Sequence, residues 1–168
     1  MRWAEMEAEV PEFAARLKAV LDRHKHKTMA TLRRDGSPRI SGTELQFAGG
    51  DLYTGSMPDS LKGRDLRRDP RVAIHSASED ADETDPESWT GDAKLAGTAQ
   101  LVTDPAEIAA FWAAFATEHD AAQQPAGADS SDLFRLDLTE AVLVSIELPH
   151  MVIESWHPGR GHRRRLRT

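Results

Sequence analysis

The sequence predicts a mainly β chain, an antiparallel barrel that is closed or partly closed, with helices at its periphery. Three observations carry this. The elements run helix, three meandering strands, short helix, two strands, helix, then two or three strands, an order that suits a barrel. Turn signals, Asp35-Gly36 and Ala48-Gly49-Gly50-Asp51, separate the early strands. Gly97 interrupts a long apolar run, as a bulge or a sharp barrel bend would require. Closure also hides sheet edges, which suits several apolar strands.

Taken in order, Trp3, Met6, Val10, Phe13, Leu17, Val20 and Leu21 recur at helical spacing. Pro11 fits a helix N1 position, so two helices meet near Val10. The period then changes. Strands are expected over 27–34, 38–47 and 52–55, followed by a short basic helix and a strand over 71–77. A long strand follows over 92–102. Asp104-Pro105-Ala106-Glu107 reads as a helix start: N-cap Asp, Pro at N1, Glu at N3. Ile108, Phe111, Trp112 and Phe115 form that helix's buried stripe. Residues 120–131 read as a loop of small residues, and strands close the chain over 133–138, 141–148 and 151–156.

The 168 residues suit one domain, and 39% hydrophobic with 29% charged residues is ordinary for a globular chain. Zero cysteines exclude disulfides, thiolate nucleophiles and zinc–thiolate sites. No apolar stretch reaches the length of a membrane span, and the first residues carry no signal-peptide core. A cytoplasmic location is the expectation. The net charge of −7 is uneven: residues 79–87 hold six acids and residues 160–168 five arginines. The acidic run reads as a solvated loop and the basic end as a mobile tail. An acidic chain with one basic end and few aromatics is not expected to bind nucleic acid.

The stretch GSMPDSLKGRDLRRDP (55–70) raises the functional question. A first helical turn leaves N–H groups unpaired and carries the positive end of the macrodipole. Ser60, or Asp59 before it, is a good N-cap type, and Lys62 falls within that turn. Unpaired N–H groups, a hydroxyl and an ammonium make a phosphate-sized site; the other reading is that Lys62 points into water. Elsewhere no nucleophile signature, metal-ligand spacing, Walker motif or Rossmann fingerprint occurs. A barrel with an anion site and no acid–base machinery is the profile of a protein whose bound cofactor carries the chemistry.

In MATLRRDGSPRISGTELQF (29–47), DLYTGSMPDSLKGRDLRRDPRVAIHS (51–76) and DAKLAGTAQLV (92–102) the chain resembles the pyridoxamine 5′-phosphate oxidase-like family of split-barrel flavin binders. ESWHPGRG (154–161) is similar to the ending of an actinobacterial subgroup. The resemblance implies a split β-barrel and a homodimer. It also implies FMN, or the deazaflavin coenzyme F420, bound in a groove between two subunits. Carried over by position, Arg39, Ile40, Ser41 and Gly42 line the ring and ribityl chain, and Gly55, Ser56 and Met57 follow on the next strand. Ser60 and Lys62 hold the phosphate, Arg64 and Arg67 add positive charge, and Trp156 approaches from the second subunit.

Two departures bear on the substrate. The oxidase proper has Arg directly before the phosphate Lys, where this chain has Leu61. Its C-terminal Trp-Arg-Leu-His type pattern is replaced by Trp156-His157-Pro158-Gly159. The expectation is an FMN-dependent oxidoreductase of a small molecule other than pyridoxamine phosphate. An F420-dependent reductase, and a non-enzymatic flavin or haem carrier with His75 or His157 as haem ligand, are the alternatives. The expected organisation is a helical segment over 1–26, a cofactor-binding barrel over 27–157 and a basic tail over 158–168. No catalytic residue and no metal site are assigned.

Overall fold

The computed structural model describes residues 1–118 and 131–168, so all but the last residue of the small-residue loop expected over 120–131 lies outside the described residues. The chain opens with α1 (Trp3–Glu9) and α2 (Pro11–Asp22), joined at Val10, with Pro11 at N1 as its fixed φ favours. Their apolar stripe, Trp3, Met6, Phe13, Ala14, Leu17 and Leu21, is buried in the main core. The Trp3 ring meets Phe47 edge-on at 4.7 Å.

Among the described residues nine antiparallel strands follow: β1 (Lys27–Leu32), β2 (Pro38–Thr43), β3 (Leu45–Ala48), β4 (Asp51–Ser56), β5 (Arg71–His75), β6 (Asp92–Leu101), β7 (Asp132–Glu147), β8 (His150–His157) and β9 (Gly161–Arg167). The sheet order is β2-β1-β5-β6-β7-β4-β3, with β8 on β7 and β9 on β8. The two ends of that order, β2 and β3, are neighbours in sequence, separated only by Glu44. Thus the single strand expected over 38–47 breaks there: its first part pairs with β1 and its second with β4. Among the described residues no ladder joins β2 to β4. One hydrogen bond between the hydroxyls of Thr43 and Thr54, 2.6 Å, crosses the gap. The sheet therefore curls without closing, and the fold is a split barrel.

The ladder between β6 and β7 slips at Gly97: Ala96 faces Glu140 and Gly97 faces Leu138, leaving Thr139 as the extra residue. A Cβ on Gly97 would lie 2.1 Å from the Asp137 carbonyl oxygen, so only glycine fits. The bulge also explains why β7 is one strand where the sequence suggested two. Thr139-Glu140 is absorbed as an irregularity, not a turn. A second apolar cluster forms where α4 (Pro105–Glu118) packs Phe111 against Tyr53 of β4, ring centroids 4.8 Å apart.

The mobile-tail expectation for 160–168 is corrected. Residues 161–167 form β9, paired along the length of β8 from Met151 to His157. An arginine-rich end becomes a strand because it meets acids there. Arg164 pairs with Glu147, and His162 Nε2 lies 3.0 Å from the buried Glu154 carboxylate, which Arg16 of α2 also reaches at 2.6 Å. The acidic run 79–87 is mostly exposed, as expected. Glu79 nevertheless pairs with Arg23 and His24, and the Glu87 carboxylate accepts from Leu148 N.

Candidate functional site

The helix α3 (Leu61–Arg68) begins at the mouth of the gap between β2 and β4. Ser60 is its N-cap: the hydroxyl accepts from Gly63 N at 3.1 Å, the capping bond expected of that residue type. Ser60 Oγ is also bonded to Ser56 Oγ at the end of β4. Gly63 makes this packing possible, since a Cβ there would lie 2.9 Å from Ser56 Oγ and 3.0 Å from Ser60 Oγ.

Lys62 points back across the gap. Its ammonium donates to Gly42 O at 2.9 Å and reaches Thr43 Oγ1 at 3.5 Å. Among the described residues no carboxylate lies within ion-pair distance of it. Burial lowers the Lys62 pKa, and the Glu44 carboxylate opposes that shift from a distance. An ammonium has three protons, and the two acceptors in place leave one for a ligand.

These groups frame a cavity of about 470 Å³, within the range of roughly 300–1,000 Å³ usual for small-molecule sites. Of the residues expected at the site, Gly42, Gly55, Ser56, Met57, Ser60 and Lys62 line it. Ile40 stands two residues along β2 from Gly42 and is 69% exposed; Met57 at the rim is 74% exposed. Ser41 lies between Ile40 and Gly42, opposite Met29 of β1.

Three expected residues stand elsewhere. Arg39 faces away from the gap and donates through Nε to the buried Asp65 at 2.6 Å. Arg64 is exposed, 3.7 Å from Asp59, on the same far flank of α3. Trp156 is 0% exposed in the core of its own chain, so its ring is not presented to a second subunit. Arg67, the further expected cation, is committed to Asp132. Burial alone would raise the Asp65 carboxyl, but hydrogen bonds from Arg39, Arg68 and Thr31 carry it below the usual carboxylate range.

Sequence reasoning missed His26, Thr43, Glu44, Gln46 and Ser131, which also line the groove. The strand break at Glu44 brings Thr43, Glu44 and Gln46 there, and the pairing of β7 with β4 brings Ser131; no local signal marks either. A larger cavity, about 660 Å³, lies between α2 and β3. Its cations are already engaged: Lys18 by Asp22, Lys25 by Glu44 at 3.4 Å, and Lys27 by the carbonyl oxygens of His24 and Lys25.

The residues considered as haem ligands are also held. His75 Nδ1 lies 2.7 Å from Ser76 O and Nε2 3.6 Å from Asp92; His157 Nε2 lies 3.7 Å from Glu140. Among the described residues no cluster of three metal-ligating side chains occurs. No helix there is long and apolar enough to cross a membrane.

Several solved structures share this fold. A heme binding protein from Mycobacterium smegmatis superposes with a TM-score of 0.60 at 22% identity, covering 82% of this chain and 55% of its own. A conserved hypothetical protein of Mycobacterium tuberculosis, Rv2991, gives 0.60 at 16% identity, over 76% of this chain and 81% of its own. An F420 reductase gives 0.50 at 21% identity, over 73% and 92%. No curated protein matches the sequence. The sequence profile of the family described as pyridoxamine 5′-phosphate oxidase matches residues 13–145, most of the chain and every strand that frames the groove. The chain belongs to the pyridoxamine 5′-phosphate oxidase family.

Proposed function

We propose that the groove between β2 and β4 binds FMN, with the phosphate at the start of α3, and that the protein is a flavin-dependent oxidoreductase acting as a homodimer. One observation carries this reading: a half-buried ammonium, Lys62, stands without a carboxylate partner among the described residues, beside a capped helix start and a small-molecule cavity. The donor set suits a phosphate monoester. It offers the Lys62 ammonium, the Ser56 and Ser60 hydroxyls and the N–H groups of the first turn. FMN supplies two-electron redox chemistry when bound. The chain orients it through β2 and β4 and limits water through the walls of the gap.

The exposed Met57 at the rim and Ile40, two residues along β2 from Gly42, are the surface a second copy covers. Substitution of Leu61 for the oxidase arginine supports a substrate other than pyridoxamine phosphate. Coenzyme F420 is the weaker reading for this groove, because Arg67 and Arg68 of α3 are already bonded to Asp132 and Asp65.

The reading is tested on protein purified without added cofactor, by mass spectrometry of the small molecule released on denaturation. FMN is the expected mass, or full uptake of added FMN if the protein emerges empty. Release of haem, or failure to take up added FMN, overturns it.

A further inference from the structure

On the flank of α3 away from the groove, a second cavity of about 490 Å³ is lined by Arg33, Arg34, Arg39, Arg64 and Arg68, with Asp35, Asp65 and Leu61. Five guanidinium groups there face two carboxylates. We propose that this pocket binds a small polyanion, a molecule carrying two or more carboxylate or phosphate groups, at a site separate from the groove.

The pocket is ordered before any ligand arrives. Asp65 is 3% exposed, and both its oxygens are in use. Oδ2 accepts from Thr31 Oγ1 at 3.1 Å and Arg39 Nε at 2.6 Å; Oδ1 accepts from Arg68 at 2.9 Å. Arg68 is held a second time by the Leu32 carbonyl oxygen. The buried carboxylate thus fixes two guanidinium groups while leaving further N–H donors of each unengaged. Arg33 is positioned by the turn between β1 and β2, where it donates to Pro38 O and lies 3.4 Å from Ser37 Oγ.

Asp35 at that turn accepts from Ser37 N and Ser37 Oγ, which keeps its carboxylate engaged within the turn. Arg34 has no partner among the described residues, and Arg64 only a contact of 3.7 Å with Asp59. Two fixed arginines at the base, with Arg34 and the loosely paired Arg64 at the lip, suit a ligand that needs several planar, bidentate donors at once. Because the base is preorganised, little ordering cost remains on binding. The inference does not depend on the flavin reading.

The test uses the full-length protein and tricarballylate, a tricarboxylate, followed by calorimetry. Wild type is expected to bind it saturably, Arg34→Glu about tenfold or more weakly, and Lys62→Ala like wild type. Arg34 is exposed and has no partner among the described residues, so its replacement leaves the fold intact. Repeating the titration with FMN bound, and with an oligoglutamate-bearing deazaflavin bound, identifies the source. A free acid still binds beside both cofactors, whereas a cofactor tail blocks the site only in the second case. No saturable binding to wild type, or a loss in Lys62→Ala with none in Arg34→Glu, overturns the proposal.

Discussion

Lys62 and Asp65, three positions apart on one short helix, show how a single residue's surroundings set its role. Lys62 has its pKa lowered by burial, with the Glu44 carboxylate opposing, so it loses its proton below the ordinary lysine value of about 10.4. If its charge holds a phosphate, FMN affinity persists below that lowered value and falls as pH rises through it. In Lys62→Arg the fall moves up, because a guanidinium keeps its charge to higher pH than an ammonium does. Titration of FMN across alkaline pH checks this, and identical profiles in the two proteins count against it. Asp65 is the opposite case, its folded carboxyl carried below the usual range by Arg39, Arg68 and Thr31 despite burial. Its stabilisation is therefore present above the unfolded value of about 3.9 and is lost as pH falls through the folded value. Asp65→Asn should cost about 3 kcal/mol at neutral pH, because two guanidinium groups lose a buried partner. Urea unfolding should show that difference shrinking in acid. An unchanged gap at low pH would mean the carboxylate charge is not what matters.

At the scale of elements, β9 is where the structure departs most from a reading of the chain. Ending the chain at residue 159 would remove a strand that pairs with β8 from Met151 to His157 and would strip the buried Glu154 of its His162 contact. The truncated protein is expected to melt clearly lower and to associate through the bared edge of β8. A mobile tail would leave both properties unchanged. The arginines could not announce a strand, because the β8 backbone, Glu147 of β7 and Glu154 of β8 supply the order. By contrast, Pro11, the Asp104-Pro105-Ala106-Glu107 start and Gly97 were legible, since each acts through its own backbone. The break at Glu44 was not, because it is decided by where β1 and β4 stand. The candidate site divides the same way. Ser60 as N-cap follows from local chemistry. Arg39 and Trp156 were read by position, and Asp65 and the apolar core, both distant in sequence, hold them outside the groove.

For the whole molecule, Met57 at the groove and Ile40 farther along β2 are exposed apolar side chains. A second copy covering them should double the 18.6 kDa mass in light scattering at micromolar concentration. Ile40→Glu is expected to halve that mass and to weaken FMN binding together. A monomer with undiminished flavin affinity would show that the groove needs no partner. The central claim, that Lys62 at the start of α3 holds the flavin's phosphate, is met most directly by titrating FMN and riboflavin into wild type and Lys62→Ala. Arg71→Ala serves as control, since Arg71 is exposed and paired with Asp69 outside the groove. Loss of a charge-assisted contact of about 1.5–3 kcal/mol should weaken FMN ten- to hundred-fold in Lys62→Ala, while riboflavin binds both proteins almost equally. Equal losses for both ligands, or undiminished FMN binding, would place the phosphate elsewhere.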